Sequence, residues 1–296
     1  MFPAQFEYHR AASVKDAVAL LKQFGDDARI LAGGHSLLPM MKLRLAQPAH
    51  VVDIGRIDEL RVIRESGDKI SIGAIATHDQ IANDPLVGSR IGLLAECAAA
   101  IGDVQVRNRG TIGGSLSHSD PAADYPAGVL ALEAELKLEG ESETRIVKAQ
   151  EFFVDLMTTA ARPGEILTQV VLPASAPNSG YAYFKHRHPA SGFAIVGVAA
   201  LITLDERGNC QRVRMGVTGL AAKAFRANAV EAALTGKTPG DATISAAASH
   251  AAEGIDPLAD IHASGEFRAE LARVYAGRAL SAATMRAKAM ISSSAR

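Results

Sequence analysis

The sequence predicts an α+β protein of two or three domains, and three observations lead there. Its 296 residues exceed what one hydrophobic core usually supports. Strands and helices alternate at the start of the chain, whereas a run of strands followed by a run of helices closes it. Between these regimes lies a breaker-rich stretch, residues 173–180, with Pro173, Pro177, Gly180 and two serines. The hydrophobic fraction of 48% and charged fraction of 21% are those of an ordinary globular chain. A formal net charge of −1 provides no field for nucleic acid or an anionic membrane.

The elements follow in order. Ser13 is placed to cap a helix whose apolar residues Val14, Ala17, Val18 and Leu21 share one face, ending near Gly25. Residues 28–32 then form a strand running into Gly33 and Gly34, Ser36 opens a short helix to Leu45, and residues 50–54 form the next strand. Residues 60–63 and 69–75 read as a hairpin around a Ser-Gly-Asp turn, and residues 77–82 and 94–101 as helices. A glycine-rich loop at 109–115 precedes a helix expected to start at Asp120-Pro121 and run to Leu132. Strands follow at 135–138, 145–148 and 167–171, and beyond the breaker stretch at 181–186, 194–204 and 213–218. Alanine-rich helices fill most of 224–288, and residues 291–296 are expected to fray.

No apolar h-region is visible in residues 1–10, and apolar runs such as 193–204 are too short to span a bilayer, so the cytoplasm is the expected location. The two cysteines, Cys97 and Cys210, lie far apart and cannot supply the four thiolates an iron–sulfur cluster normally needs, so any such cluster would sit on another chain. Cys97 reads as a buried thiol in an alanine-rich helix.

Two motifs carry chemistry. In Ala32-Gly33-Gly34-His35-Ser36 the glycines allow positive φ and let backbone N–H groups approach a bound anion, a geometry suited to phosphate. The bland reading is a tight strand-to-helix turn. Gly110-Thr111-Ile112-Gly113-Gly114-Ser115 repeats the pattern, followed by Asp120, which also suits a helix cap, and Asp124, placed to accept hydrogen bonds from a ribose, a ribityl chain or a ring N–H. Two such loops point to a ligand with two neighbouring phosphates, a dinucleotide. A Rossmann site is excluded, although Asp53 falls about 20 residues after the first loop. G-x-G-x-x-G counted from Gly33 would need glycine at His35 and a small residue at Leu38.

With Leu37, Leu38, Pro39, Lys42 and Arg44 after the first motif, and Arg109 before the second, the chain resembles the FAD-binding medium subunit of the xanthine oxidase family of molybdenum hydroxylases. It is most similar there to the aerobic carbon monoxide dehydrogenase type, over nearly its whole length. The resemblance implies a two-part FAD-binding fold of the vanillyl-alcohol-oxidase kind, in residues 1–57 and 58–176. A C-terminal flavoprotein domain, residues 177–296, is implied to have a three-stranded antiparallel sheet and helices.

The implied cofactor is FAD. Ala32, Gly33, Gly34, His35, Ser36 and Leu37 would hold the pyrophosphate together with Gly110, Thr111, Ile112, Gly113, Gly114 and Ser115. Asp120 belongs to the same implied site, Asp124 would bind the flavin's polar portion, Leu167 and Ile101 would line the pocket, and Lys185 would approach the isoalloxazine. The implied partners are a large molybdopterin subunit and a small subunit with 2Fe-2S clusters, in a dimer of heterotrimers. Membrane contact would arise only with a quinone acceptor. No catalytic residue and no metal ligand is assigned to this chain.

Ser115 stands where the carbon monoxide dehydrogenase pattern has asparagine, and His118-Ser119 and the Lys185-His186-Arg187-His188 segment also differ, which favours another hydroxylase of the family. His186 and His188 alternate as strand residues with no acidic ligand nearby and read as a basic, partner-facing strand end. Arg107 and Arg109 read as solvated or interface residues, and His35 as a loop support or a solvent-facing ring. Two alternatives remain: a self-contained flavin oxidase, which would need its own acid or base and a larger cap, and a non-catalytic assembly subunit.

Overall fold

The computed structural model describes residues 2–294. Its first unit is a parallel sheet in the order β1-β3-β2, built from β1 (Glu7–Arg10), β2 (Ala28–Leu31) and β3 (His50–Asp53). Helix α1 (Val14–Phe24) connects β1 to β2, with the Ser13 hydroxyl accepting from the Asp16 N–H and Gly25 ending the helix at φ 54°. Its face of Val14, Ala17, Val18 and Leu21 is buried as the sequence periodicity predicts. The short helix α2 (Leu37–Lys42) connects β2 to β3. Ser36 opens it from the N-cap position as expected, without a side-chain cap bond, and the helix ends at Lys42 rather than Leu45.

The second unit is an antiparallel sheet in the order β4-β5-β10-β6-β7. Its strands are β4 (Ile63–Ser66), β5 (Lys69–Gly73), β6 (Glu135–Glu139), β7 (Thr144–Lys148) and β10 (Ile166–Pro173). The expected strand at 60–63 is instead a 3₁₀ turn, Asp58–Arg61, because Leu60 packs into the first core while β4 begins only at Ile63. Between β5 and β6 run α3 (His78–Asn83), α4 (Pro85–Arg90), α5 (Gly92–Ala100), α6 (Val104–Arg109), α7 (Ile112–His118) and α8 (Tyr125–Ala131). The expected helix start at Asp120 is early by several residues: Asp120 takes the Ala122 N–H in a turn, and α8 begins only at Tyr125. The expected loop at 109–115 is largely helix, ending α6 and opening α7. A short hairpin, β8 (Phe153–Asp155) and β9 (Thr158–Thr159), follows α9 (Ala149–Phe152).

The C-terminal sheet has four strands rather than three, in the order β11-β12-β13-β14: β11 (Ser179–Arg187), β12 (Ala194–Leu204), β13 (Cys210–Thr218) and the two-residue β14 (Phe225–Arg226). Helices α10 (Asn228–Leu234), α11 (Asp241–Ala248) and α12 (Gly265–Ser294) complete the chain. α12 continues through the 291–294 segment expected to fray; residues 295–296 lie outside the described residues. Every residue of β12 is buried, which accounts for its unbroken apolar run. One face of this sheet packs on α12, and the other meets α8.

Both faces of this sheet depend on missing side chains, one at the junction with the middle unit and one against α12. A Cβ on Gly216 of β13 would overlap the Ala127 carbonyl in α8, and one on Gly180 of β11 would overlap the Ala283 carbonyl in α12. Backbone cannot retreat as a flexible side chain can. Gly216→Val is expected to destabilise the full chain by about 3 kcal/mol, since overpacking against a fixed backbone forces the elements apart. Denaturant unfolding measures it, with Gly236→Val, a substitution where nothing approaches but φ is +80°, separating steric overlap from backbone strain.

Candidate functional site

The two glycine motifs, about 80 residues apart in sequence, meet backbone to backbone. A Cβ on Gly33 would overlap the Arg109 carbonyl oxygen and would come within 3.0 Å of the Gly110 Cα. Gly34 takes φ 78°, in the left-handed region that glycine adopts without strain. The second turn is pinned from beneath: the His78 N–H donates to the Gly110 carbonyl (3.0 Å), the Ile112 N–H to Ala76 (3.1 Å) and the Gly113 N–H to Ala74 (2.8 Å). Ala74 in turn donates to Thr168 of β10, so Leu167 and its neighbours lie beside this turn.

The two turns offer different surfaces. Among the described residues, no protein acceptor faces the N–H groups of Gly33, Gly34, His35 or Ser36, and no donor or acceptor pairs with the Ser36 hydroxyl. Four successive unpaired amides on a half-exposed turn are donors left free for an anion. At the second motif the amides are largely spent: Gly114 donates to the Thr111 hydroxyl (3.1 Å), and Ser115 to the Thr111 carbonyl (3.0 Å). What that turn presents is the exposed Gly114 Cα and the half-buried Ser115. Thr111 is thus the N-cap of α7, the hydroxyl role its position allows. Ile112 is fully buried and anchors the turn to the core.

His78 is the residue that sequence reasoning missed. It is 5% exposed, its Nε2 lies where a Gly110 Cβ would sit, and its ring meets Tyr125 edge-on at 5.2 Å between centroids. Burial, with smaller contributions from His35 and Arg107, lowers its pKa to about 4, so the ring is neutral under the second turn. Its Nδ1 has no protein partner. The signal available in sequence was the Thr77–Gln80 capping box, which fixes where α3 starts and so where His78 points.

Asp124 and Lys185 come together in a second place, at the junction of α8 with β11. Lys185 Nζ lies 2.7 Å from Asp124 Oδ1 with both side chains almost wholly buried, and it also donates to the Gly192 carbonyl (2.7 Å). The Tyr183 hydroxyl donates to the same Oδ1 at 2.6 Å. Burial raises the Asp124 carboxyl above its ordinary range, opposed by the Lys185 ammonium and the Tyr183 hydrogen bond. Ile101 ends α5 within the middle core, with Arg107 donating to its carbonyl (2.9 Å) rather than to solvent. Asp53, the would-be Rossmann acid, is taken up by the Tyr8 hydroxyl (2.6 Å) and the Gly55 N–H (2.7 Å). His186 contacts the Tyr275 hydroxyl (3.4 Å) and His188 the His262 ring (3.2 Å), on the C-terminal unit. Cys97 is buried beneath Asp124, with its thiol pushed well up by burial.

A glycine turn with unpaired amides, closed against a second glycine turn outside any Rossmann unit, has the donor chemistry that a phosphate-bearing cofactor would use. Residues 4–175 match the family described as the FAD binding domain in molybdopterin dehydrogenase, and residues 180–283 match the CO dehydrogenase flavoprotein C-terminal domain. The chain is 42% identical over 287 residues to the carbon monoxide dehydrogenase medium chain of Hydrogenophaga pseudoflava, covering 97% of this chain and 99% of that one. It is 39% identical to the 6-hydroxypseudooxynicotine dehydrogenase complex subunit alpha of Paenarthrobacter nicotinovorans, covering 97% of each. A solved structure of carbon monoxide dehydrogenase from Hydrogenophaga pseudoflava superposes with a TM-score of 0.94 at 44% identity, covering 97% of this chain and 99% of that one. The chain belongs to the family of FAD-binding medium subunits of molybdenum-containing dehydrogenases.

Two measurements test the site's electrostatics. Because His78 binds its proton more weakly folded (about 4) than unfolded (about 6.5), the unfolded state takes up protons first as pH falls. Unfolding free energy is expected to drop by about 3 kcal/mol between pH 7 and pH 4 from this group, a slope that His78→Gln removes. For the buried pair, Lys185→Met alone is expected to cost about 3–5 kcal/mol by stranding the Asp124 carboxylate, and Asp124→Leu combined with it to recover most of that. Chemical denaturation of the two variants reads the difference.

Proposed function

We propose that this chain holds FAD across the two glycine turns and passes electrons from iron–sulfur clusters of a partner subunit to an external acceptor. The supporting observation is the run of unpaired amides at Gly33, Gly34, His35 and Ser36, a donor set that suits a diphosphate and is otherwise unexplained. FAD supplies the redox chemistry, exchanging electrons with one-electron and two-electron partners. The protein's residues bind and orient it. Ala32 and Leu37 flank the first turn, while Gly110, Thr111, Ile112, Gly113, Gly114 and Ser115 shape the wall opposite, and Asp120 closes the turn after α7. Leu167 and Ile101 contribute apolar walls, and the buried Asp124–Lys185 pair faces the flavin's polar end.

Substrate oxidation falls to a partner: a large molybdopterin subunit, joined by a small subunit with 2Fe-2S clusters in a dimer of heterotrimers. Among the described residues no helix is long and apolar enough to cross a membrane, and a cytoplasmic location is part of the proposal. The relatives' names include a carbon monoxide and a 6-hydroxypseudooxynicotine dehydrogenase, so the substrate is set by the partner that carries the molybdenum site rather than by this chain. A division into residues 1–57, 58–176 and 177–296 is part of the proposal; three clusters of buried side chains favour three units, although the first takes in Leu60, Ile75 and Ile166 and the middle one Tyr183, Ala199, Leu201 and Ala224.

Reconstitution of the full chain with FAD tests the assignment. Gly33→Val is expected to lose bound flavin because the new side chain drives the first turn away from the Arg109 carbonyl. Gly114→Val, whose Cβ would meet only the Thr111 hydroxyl, is expected to weaken flavin binding while leaving the far-ultraviolet circular dichroism unchanged. Full flavin content in both folded variants would overturn the reading.

A further inference from the structure

We propose that Glu7, His9 and His50 form a binding site for a divalent cation of the zinc class, at the opposite end of the first sheet from the glycine turn. Strand β1 pairs in parallel with β3 so that Glu7 stands beside His50. His9, two residues along β1, returns to the same face as Glu7. His9 Nε2 and His50 Nδ1 are 3.0 Å apart, and the Glu7 carboxylate lies 3.5 Å from the His50 nitrogen and 3.8 Å from the His9 nitrogen.

That triangle has the dimensions of a coordination sphere. Ligands at about 2.0–2.1 Å from a tetrahedral zinc are separated by about 3.3 Å; the two edges at His50 lie within about 0.3 Å of that, and the 3.8 Å His9–Glu7 edge would shorten by a small turn of the exposed Glu7 side chain. Two imidazoles and one carboxylate are a donor set suited to zinc, cobalt or nickel rather than to magnesium or calcium. The Phe24 ring stacks on His50 at 3.8 Å between centroids and lies 4.7 Å from the His9 ring, fixing both imidazoles in place before any ion arrives. The histidine side chains are mostly buried at 23% and 20% exposure, whereas Glu7 at 74% faces solvent. A bound ion would therefore keep a fourth, water-facing position.

The site's location decides its use. His50 and Glu7 begin their strands, whereas the glycine turn follows the end of β2, so the ion would sit about 10 Å or more from the proposed cofactor cradle. Its role is to clip edge strand β1 to β3 by tying residues that are 41 positions apart, not to act on the flavin.

Titration of the metal-free full chain with zinc, followed by calorimetry, is expected to show one equivalent bound and a raised unfolding temperature. Cobalt should give the intense visible bands of a tetrahedral centre, and in the unmodified chain it should shift the ring resonances of His9 and His50. His9→Gln or His50→Gln is expected to weaken binding by about a hundredfold and Glu7→Gln by about tenfold, with flavin content unchanged. Absence of zinc uptake by the native chain, cobalt shifts confined to other histidines, or equal uptake by the double histidine variant would each overturn the proposal.

Discussion

The closeness of two backbones at Gly33 and Arg109 governs much of this molecule. No side chain fits between the first turn and the end of α6, so the parallel sheet and the helical part of the middle unit are set at a fixed separation. That separation is reinforced underneath, where a Cβ on Gly113 would come within 2.6 Å of the Ala74 Cβ and so cannot be accommodated, and the amides of Ile112 and Gly113 are taken by the carbonyls of Ala76 and Ala74. The second turn spends its hydrogen bonds on holding position, which leaves the first turn as the donor of free amides. Similar glycine motifs have thus been given unequal work: one is a strut and the other a cradle.

The buried Asp124–Lys185 pair performs a comparable duty at the other junction. Two charges with almost no exposure are costly to desolvate, and they persist because Tyr183 and the Gly192 carbonyl complete their hydrogen bonding. Asp124 leads into α8, whereas Tyr183 and Lys185 belong to β11, so the pair is satisfied only when the C-terminal sheet is docked. Polar pairing selects the docking geometry there, and the close approach of Gly216 to Ala127 supplies the fit.

Much of this was legible in the sequence. Amphipathic periodicity found α1, the unbroken apolar run found β12, and spacing and residue type singled out both glycine motifs. What escaped had physical reasons. β1 is four mostly exposed polar residues at a sheet edge and exists because β3 pairs with it, a partner more than 40 residues away. α7 holds two adjacent glycines, poor helix formers, yet forms because Thr111 caps it and Gly113 must lie against Ala74. Asp120 looked like a cap by residue type, but its carboxylate closes a local turn, and no pattern within the segment distinguishes the two. β14 is too short to show alternation and is defined by its pairing with β13.

The outer strands of the sheets bear on how such a chain survives before it meets other subunits. β4 and β7 flank the five-stranded sheet, and between them they carry Arg64, Glu65, Arg145 and Lys148; the β1 edge carries Glu7, His9 and Arg10. Open strand edges recruit strands from other molecules unless charge or coverage discourages it. Here a newly made copy meeting another would have to desolvate several ionic groups to extend either sheet. Extension of these edges by backbone pairing is thereby discouraged, which leaves association to surfaces that side chains, not spare backbone hydrogen bonds, must recognise.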